Sequence, residues 1–230
     1  MSILYDRRNA QAARRSILDS RNRFWKLADI ETPASTTQHM LADLVQRGEL
    51  RHIRRGLYWR GTNTPLGMAP PRPEQLAAEL AHQPGSGPAG LTAANALRLS
   101  TQIPRRAEYA VPARPPADGD TVRFVNRSAR CGRAERALTT TEVAALEVLD
   151  GWDRIIETGP EEAIQRLTQL IVSGRIDADR LASASPTEPA SARTRLRYLL
   201  RRSGLNDLAE KVPTADARTE ARALAGLANA

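Results

Sequence analysis

Residues 21–61 read RNRFWKLADIETPASTTQHMLADLVQRGELRHIRRGLYWRG, and this stretch decides the fold. Phe24, Trp25, Leu27, Ala28 and Ile30 recur at helical spacing, which predicts a helix that Glu31-Thr32-Pro33 stops, because Pro33 disfavours helical geometry at Thr32. A second helix of about three turns begins near Ser35. Ser35 or Thr36 can cap it by accepting from a free first-turn amide, and Gly48 suits its end. Thr37, Met40, Leu41, Leu44 and Val45 gather on one side of this helix, with Thr36, His39, Asp43 and Gln46 opposite. Leu50–Ile53 and Leu57–Arg60 are short β-prone runs around Arg54-Arg55-Gly56, and Gly56 supplies the positive φ of a tight hairpin. Two helices, a tight turn between them and a hairpin after them outline a winged helix-turn-helix.

In that architecture the second helix enters the major groove and a cationic wing lies along phosphates or in the minor groove. The candidate DNA-binding residues follow from position. Ser35, Thr36, Thr37, Gln38 and His39 open the reading helix, and Gln46 and Arg47 close it. Arg51, Arg54, Arg55 and Arg60 belong to the wing, while Arg21, Arg23 and Lys26 flank it. The plainer reading of such arginines is a solvated surface, but here the run sits on the hairpin that follows a polar-faced helix. Asp43 is the exception on the reading face: a carboxylate there either accepts from cytosine N4 or repels phosphate. Phe24, Trp25, Tyr58 and Trp59 are expected in the core of so small a unit, not as stacking platforms for bases.

The chain has 230 residues, room for two small domains with cores of their own. Its formal net charge is +8 and its pI about 10.6. Of the 34 basic residues 32 are arginine, a bias that genomic composition alone can produce, so the location of the charge matters more than its total. Residues 1–62 hold twelve Lys/Arg against six Asp/Glu, whereas the remaining 168 hold twenty-two against twenty. The excess lies where phosphate neutralisation requires it. Cys131 is the only cysteine, which excludes an intramolecular disulfide and a cysteine-based zinc site. With His39, His52 and His82 scattered, no metal and no cofactor are expected. No apolar run approaches the length of a membrane span and no signal-peptide pattern opens the chain, which predicts a cytoplasmic protein without a membrane partner.

The fold class expected is α+β: an N-terminal winged helix-turn-helix (1–62), a Pro/Gly-rich linker (63–73), a mixed α/β C-terminal domain with several helices and a small sheet (74–212), and a tail (213–230) that is either helical or frayed. Asp6–Ser20 reads as a leading helix whose Arg7, Arg8, Arg14 and Arg15 either touch phosphates or face water. Further helices are expected over 74–82, 91–99, 139–149 (with a Thr139/Glu142 capping box), 161–172 and 193–202. Strands are expected at Tyr109–Val111 and Thr121–Val125 around a Pro/Asp/Gly turn segment, and Ser183–Ala190 reads as a turn or short linker. The arginine-rich 193–202 helix is a candidate second contact surface.

Three segments carry a family resemblance: GELRHIRRGLYWRG (48–61), PRPEQLAAELA (71–81) and above all GLTAANALRLSTQIPRRAEY (90–109). Together they resemble AbiEi-type antitoxins of type IV toxin-antitoxin systems, in particular the branch filed as domains of unknown function with an N-terminal winged helix. The similarity covers roughly Phe24–Leu149. It implies a non-enzymatic repressor that binds inverted repeats in its own promoter and counteracts a co-encoded nucleotidyltransferase-like toxin through its C-terminal domain. Two other readings stand beside it. A general winged-helix regulator or protein-interaction module needs no toxin. An enzyme reading rests on Gly85-Ser86-Gly87 and Asp118-Gly119-Asp120, which superficially echo a nucleotidyltransferase but lie in loops with no strand to hold the aspartates.

Overall fold

A computed structural model describes residues 2–228, with side chains over 8–227; the expected role of Arg7 lies outside the described side chains. The chain divides into two compact units, Met1–Arg72 and Pro73–Ala230.

The first unit runs α1 (Ser2–Asp19), β1 (Arg23–Lys26), a 3-10 turn (Leu27–Asp29), α2 (Ala34–Gln46), β2 (Arg51–Arg54) and β3 (Leu57–Arg60). It ends in a small hairpin, β4 (Asn63–Thr64) and β5 (Gly67–Met68). The strands form a three-stranded antiparallel sheet in the order β1-β3-β2. The helix expected over Phe24–Ile30 is therefore a strand and a single turn. Phe24 pairs with Trp59 and Trp25 with Tyr58 across β1 and β3, and their aromatic side chains suit a pleated, half-buried surface better than a helix. Trp25, Ile30, Met40, Leu41, Leu44 and Leu50 close the core together with Ile17 of α1.

The segment expected as a linker is folded onto this unit. Trp59 Nε1 donates to the Ala69 carbonyl at 2.9 Å, and a Cβ at Gly61 would stand 2.3 Å from that same oxygen. Only glycine lets the chain pass there.

The second unit begins with α3 (Pro73–Ala81), β6 (Gly87–Pro88), α4 (Gly90–Ala96), β7 (Ala107–Val111) and β8 (Val122–Asn126). Helices α5 (Gly132–Glu135), α6 (Thr140–Ile155), α7 (Pro160–Val172), α8 (Ala178–Ala184), α9 (Ala190–Arg202), α10 (Asn206–Lys211) and α11 (Ala217–Ala228) complete it. The sheet order is β6-β7-β8, and β7 and β8 are parallel, so residues 112–121 cross over instead of turning a hairpin. Tyr109, Val111, Val122 and Phe124 pack with Ala77 and Ala81 of α3 on one side of the sheet. Ala110 joins the larger core that the remaining helices share. Helix α6 runs through that core, buried from Glu142 to Leu149, and starts at the expected capping box, Thr139 accepting from the Glu142 amide and Glu142 from the Thr139 amide. The expected tail is the docked helix α11: Trp152 Nε1 donates to Gly226 O at 3.3 Å and Arg195 Nε to Ala223 O at 3.2 Å. Among the described residues no helix is long and apolar enough to cross a membrane.

Candidate nucleic-acid interface

Helix α2 buries Thr37, Met40, Leu41 and Leu44 and leaves Ser35, Gln38, His39, Ala42 and Gln46 exposed, with Thr36 half-buried. The split follows from helical periodicity, since the core takes one stripe and solvent the other. Its start departs from expectation. Pro33 occupies the cap and neither Ser35 nor Thr36 caps a backbone amide. Thr37 is not available to a ligand: it is 1% exposed, its hydroxyl lies 2.5 Å from that of Thr32, and it donates toward Pro33 O at 3.2 Å. Its role is to fix the entry of α2, which leaves the first-turn amides without side-chain acceptors and able to face an anion.

The carboxylate expected on the reading face is neutralised in place. Asp43 accepts from Arg14 Nη1 and Arg47 Nε, each at 2.8 Å. The hydrogen bond from Arg47, followed by that from Arg14, holds its carboxyl below the usual carboxylate range. Arg47 thus bridges the helix end to its own acid while remaining 63% exposed.

The hairpin carries unpaired charge. Arg54 ends β2 and Arg55 forms the turn with Gly56, whose φ of +76° is the left-handed geometry such a turn needs. His52 opposes Tyr58, with ring centroids 5.3 Å apart, and the register slips between His52 and Arg54, so Ile53 is a bulge. Arg51, Arg54 and Arg55 are exposed, and among the described residues no carboxylate pairs with them. Strand alternation puts Arg51 on the Trp59 face of the sheet, opposite the face on which Tyr58 packs with α2.

Two expected contacts are structural. Arg60 is a half-buried staple: Nη1 donates to Glu49 O at 2.9 Å and pairs with Glu49 Oε2, and Nη2 donates to Leu18 O at 3.3 Å. It ties α1, the turn after α2 and β3 together. Arg23 lays its guanidinium over the Trp25 ring, 4.3 Å from the centroid. Arg21 is exposed beside it, and Lys26 is half-buried at the end of β1.

Four of the five arginines of helix α9 are already paired. Arg195, 3% exposed, donates to Leu149 O and to Asp153, Arg197 pairs with Glu220, Arg201 with Glu210 and Arg202 with Glu161. A network that local sequence reading missed lies nearby. Wholly buried Arg133 holds both oxygens of Glu188, through Nε at 2.6 Å and Nη2 at 2.7 Å, and also donates to Glu147 at 2.7 Å. Arg127 and Arg130 complete it by donating to Glu147, and Arg130 also reaches Asp150. In the loop after β7, Asp118 accepts from the Phe124 amide at 2.8 Å, which gives that carboxylate a backbone task.

The chain is an α+β protein of two units. No family model matches it, and no curated protein matches it. A search of solved structures finds the crystal structure of the RV2827C protein from Mycobacterium tuberculosis, similar with a TM-score of 0.50 at 18% identity over 90% of this chain and 82% of that one. At that identity the likeness bears on the fold alone.

Proposed function

We propose that the first unit is a winged helix that binds duplex DNA in the cytoplasm, α2 at base edges and the β2–β3 hairpin on phosphates. The observation that supports it most is the hairpin tip, where Arg51, Arg54 and Arg55 are exposed and without a carboxylate partner among the described residues. An unneutralised cationic hairpin beside a helix with Ser35, Gln38, His39 and Gln46 exposed suits backbone positioning and base reading at once. We further propose that the chain is an antitoxin that represses its own operon at promoter inverted repeats and counteracts a co-encoded nucleotidyltransferase-like toxin. That part rests on the resemblance of residues 48–61, 71–81 and 90–109.

Fluorescence anisotropy against the chain's own promoter tests the first part. About six neutralised phosphates predict a log–log salt slope near −5 on duplex DNA, whereas a packed protein interface responds far less to salt. A flat salt response, or equal affinity for promoter and unrelated duplex, counts against sequence-specific repression. Co-expression with the neighbouring gene tests the second part: growth arrest relieved by this chain supports it, and arrest that persists sinks it.

A further inference from the structure

Beyond DNA binding, we propose that the second unit holds an anion site that takes a phosphorylated small molecule, between α4, the start of α6 and α7. The cavity there has a volume of about 270 Å³ and is lined by Arg98, Arg166, Arg175, Thr140 and Thr141 over an apolar wall that includes Leu170. No carboxylate lines it. That sets it apart from its surroundings, where Arg127, Arg130 and Arg133 are matched by Glu147, Asp150 and Glu188. Three arginines on the lining of one cavity with no carboxylate among its lining residues leave positive charge unmatched there, which a ligand carrying at least two negative charges would relieve.

Each lining group is free to serve. Arg166 commits only Nε, to Leu97 O at 3.2 Å, which fixes the guanidinium plane at the C-terminus of α4 and leaves its other nitrogens to the cavity. Arg98 and Arg175 are exposed and have no partner among the described residues. Arg98 sits at φ +59°, in the left-handed region, where glycine commonly ends a helix and a side chain is uncommon. A guanidinium is thus carried at a backbone position that favours having no side chain. Thr140 and Thr141 open α6, the Thr139 hydroxyl accepts only from the Glu142 amide, and neither following hydroxyl is engaged among the described residues. Fork-shaped donors and hydroxyls around one cavity match the tetrahedral oxygens of a phosphate, and the volume leaves room for an organic part beyond it.

The test uses the full chain carrying Arg54→Ala and Arg55→Ala, so that the hairpin does not capture the same polyanions. Inorganic phosphate, tripolyphosphate and ATP are titrated at matched ionic strength by calorimetry, with sodium chloride as the baseline. Saturable binding is expected for at least one of them, weakened about tenfold or more by Arg98→Ala with Arg175→Ala. Both substituted side chains are exposed, so the variant's melting curve without ligand should match its parent. Arg175→Ala alone, expected to weaken binding severalfold, serves if the pair does not fold. ATP binding tighter than tripolyphosphate identifies a nucleotide ligand, and equal binding identifies phosphate groups alone. No saturable binding up to roughly 10 mM, or binding unchanged by the substitutions, overturns the site.

Discussion

In the first unit Arg51, Arg54 and Arg55 stand in solvent without a counter-charge among the described residues, whereas in the second Arg133 is sealed between Glu147 and Glu188 with no exposed surface. One residue type does two physical jobs. On the hairpin the guanidinium keeps its water and its full charge, so it costs nothing in stability and is available to a polyanion. In the core it has lost its water, and only three nearby carboxylates, Glu147, Asp150 and Glu188, offset that loss across Arg127, Arg130 and Arg133. The net charge of +8 does not separate these cases. Neutralisation by neighbours does.

The contrast predicts its largest effect in the buried network. Arg133→Met should destabilise the second unit by about 3–5 kcal/mol, because Glu147 and Glu188 remain buried with too few partners. Urea unfolding of the variant measures this, and adding Glu188→Gln should restore part of the loss. A near-neutral Arg133→Met would mean that the two regions are not energetically different.

Acid is the next lever. Burial alone raises the Glu147 pKa, but the hydrogen bond from Arg127 and the charges of Arg133, Arg127 and Arg130 bring it from 4.5 to about 2. The unfolded chain therefore binds a proton before the folded one does, so this contribution is complete above pH 4.5 and lost as pH falls toward 2. The loss amounts to about 3 kcal/mol over that window at 1.36 kcal/mol per pH unit. Unfolding free energy measured against pH should fall less steeply in Glu147→Gln than in the parent. Equal slopes would remove the network from the acid response.

Much of the hairpin and of α2 was legible because their signals are local: apolar spacing from Thr37 to Leu44, and Gly56 between two β-prone runs. The first strand was not. Phe24, Trp25 and Leu27 satisfy a helical spacing over too few residues to exclude a strand, and the partners that decide it, Tyr58 and Trp59, lie far along the chain. Arg60 looked like its neighbours Arg54 and Arg55 and is instead bonded to Leu18 and Glu49. Nothing in its immediate sequence tells a staple from a surface charge. The buried network was equally silent, since Arg133, Glu147 and Glu188 meet only once α6 and the turn before α9 are in place.

On the exposed side, Arg54→Ala with Arg55→Ala should weaken binding to every duplex by roughly tenfold to a hundredfold at 0.1 M salt and flatten the log–log slope by about 2, one contact each at 0.9. Melting should shift little, as both side chains are exposed. A large loss of stability instead would place these arginines with the structural ones. Gln38→Ala and His39→Ala test the helix separately. Both are exposed on α2, so each should change preference among operator variants by about 1–3 kcal/mol at the contacted base pair while leaving the salt slope intact.

Asp43 joins the two behaviours, because it is a half-exposed carboxylate that already neutralises two arginines of the first unit. Asp43→Asn releases Arg14 and Arg47 and removes a negative charge from the face proposed to meet DNA. Exposed pairs of this kind contribute little to folding, so melting should barely move. Affinity for duplex should rise by about threefold to tenfold at low salt and converge with the parent at high salt, where screening cancels the added charge. Weaker binding would show that the carboxylate positions Arg47, and with it the end of α2, more than it opposes the phosphates. The hairpin charge would then act free of its neighbours where the charge on α2 does not.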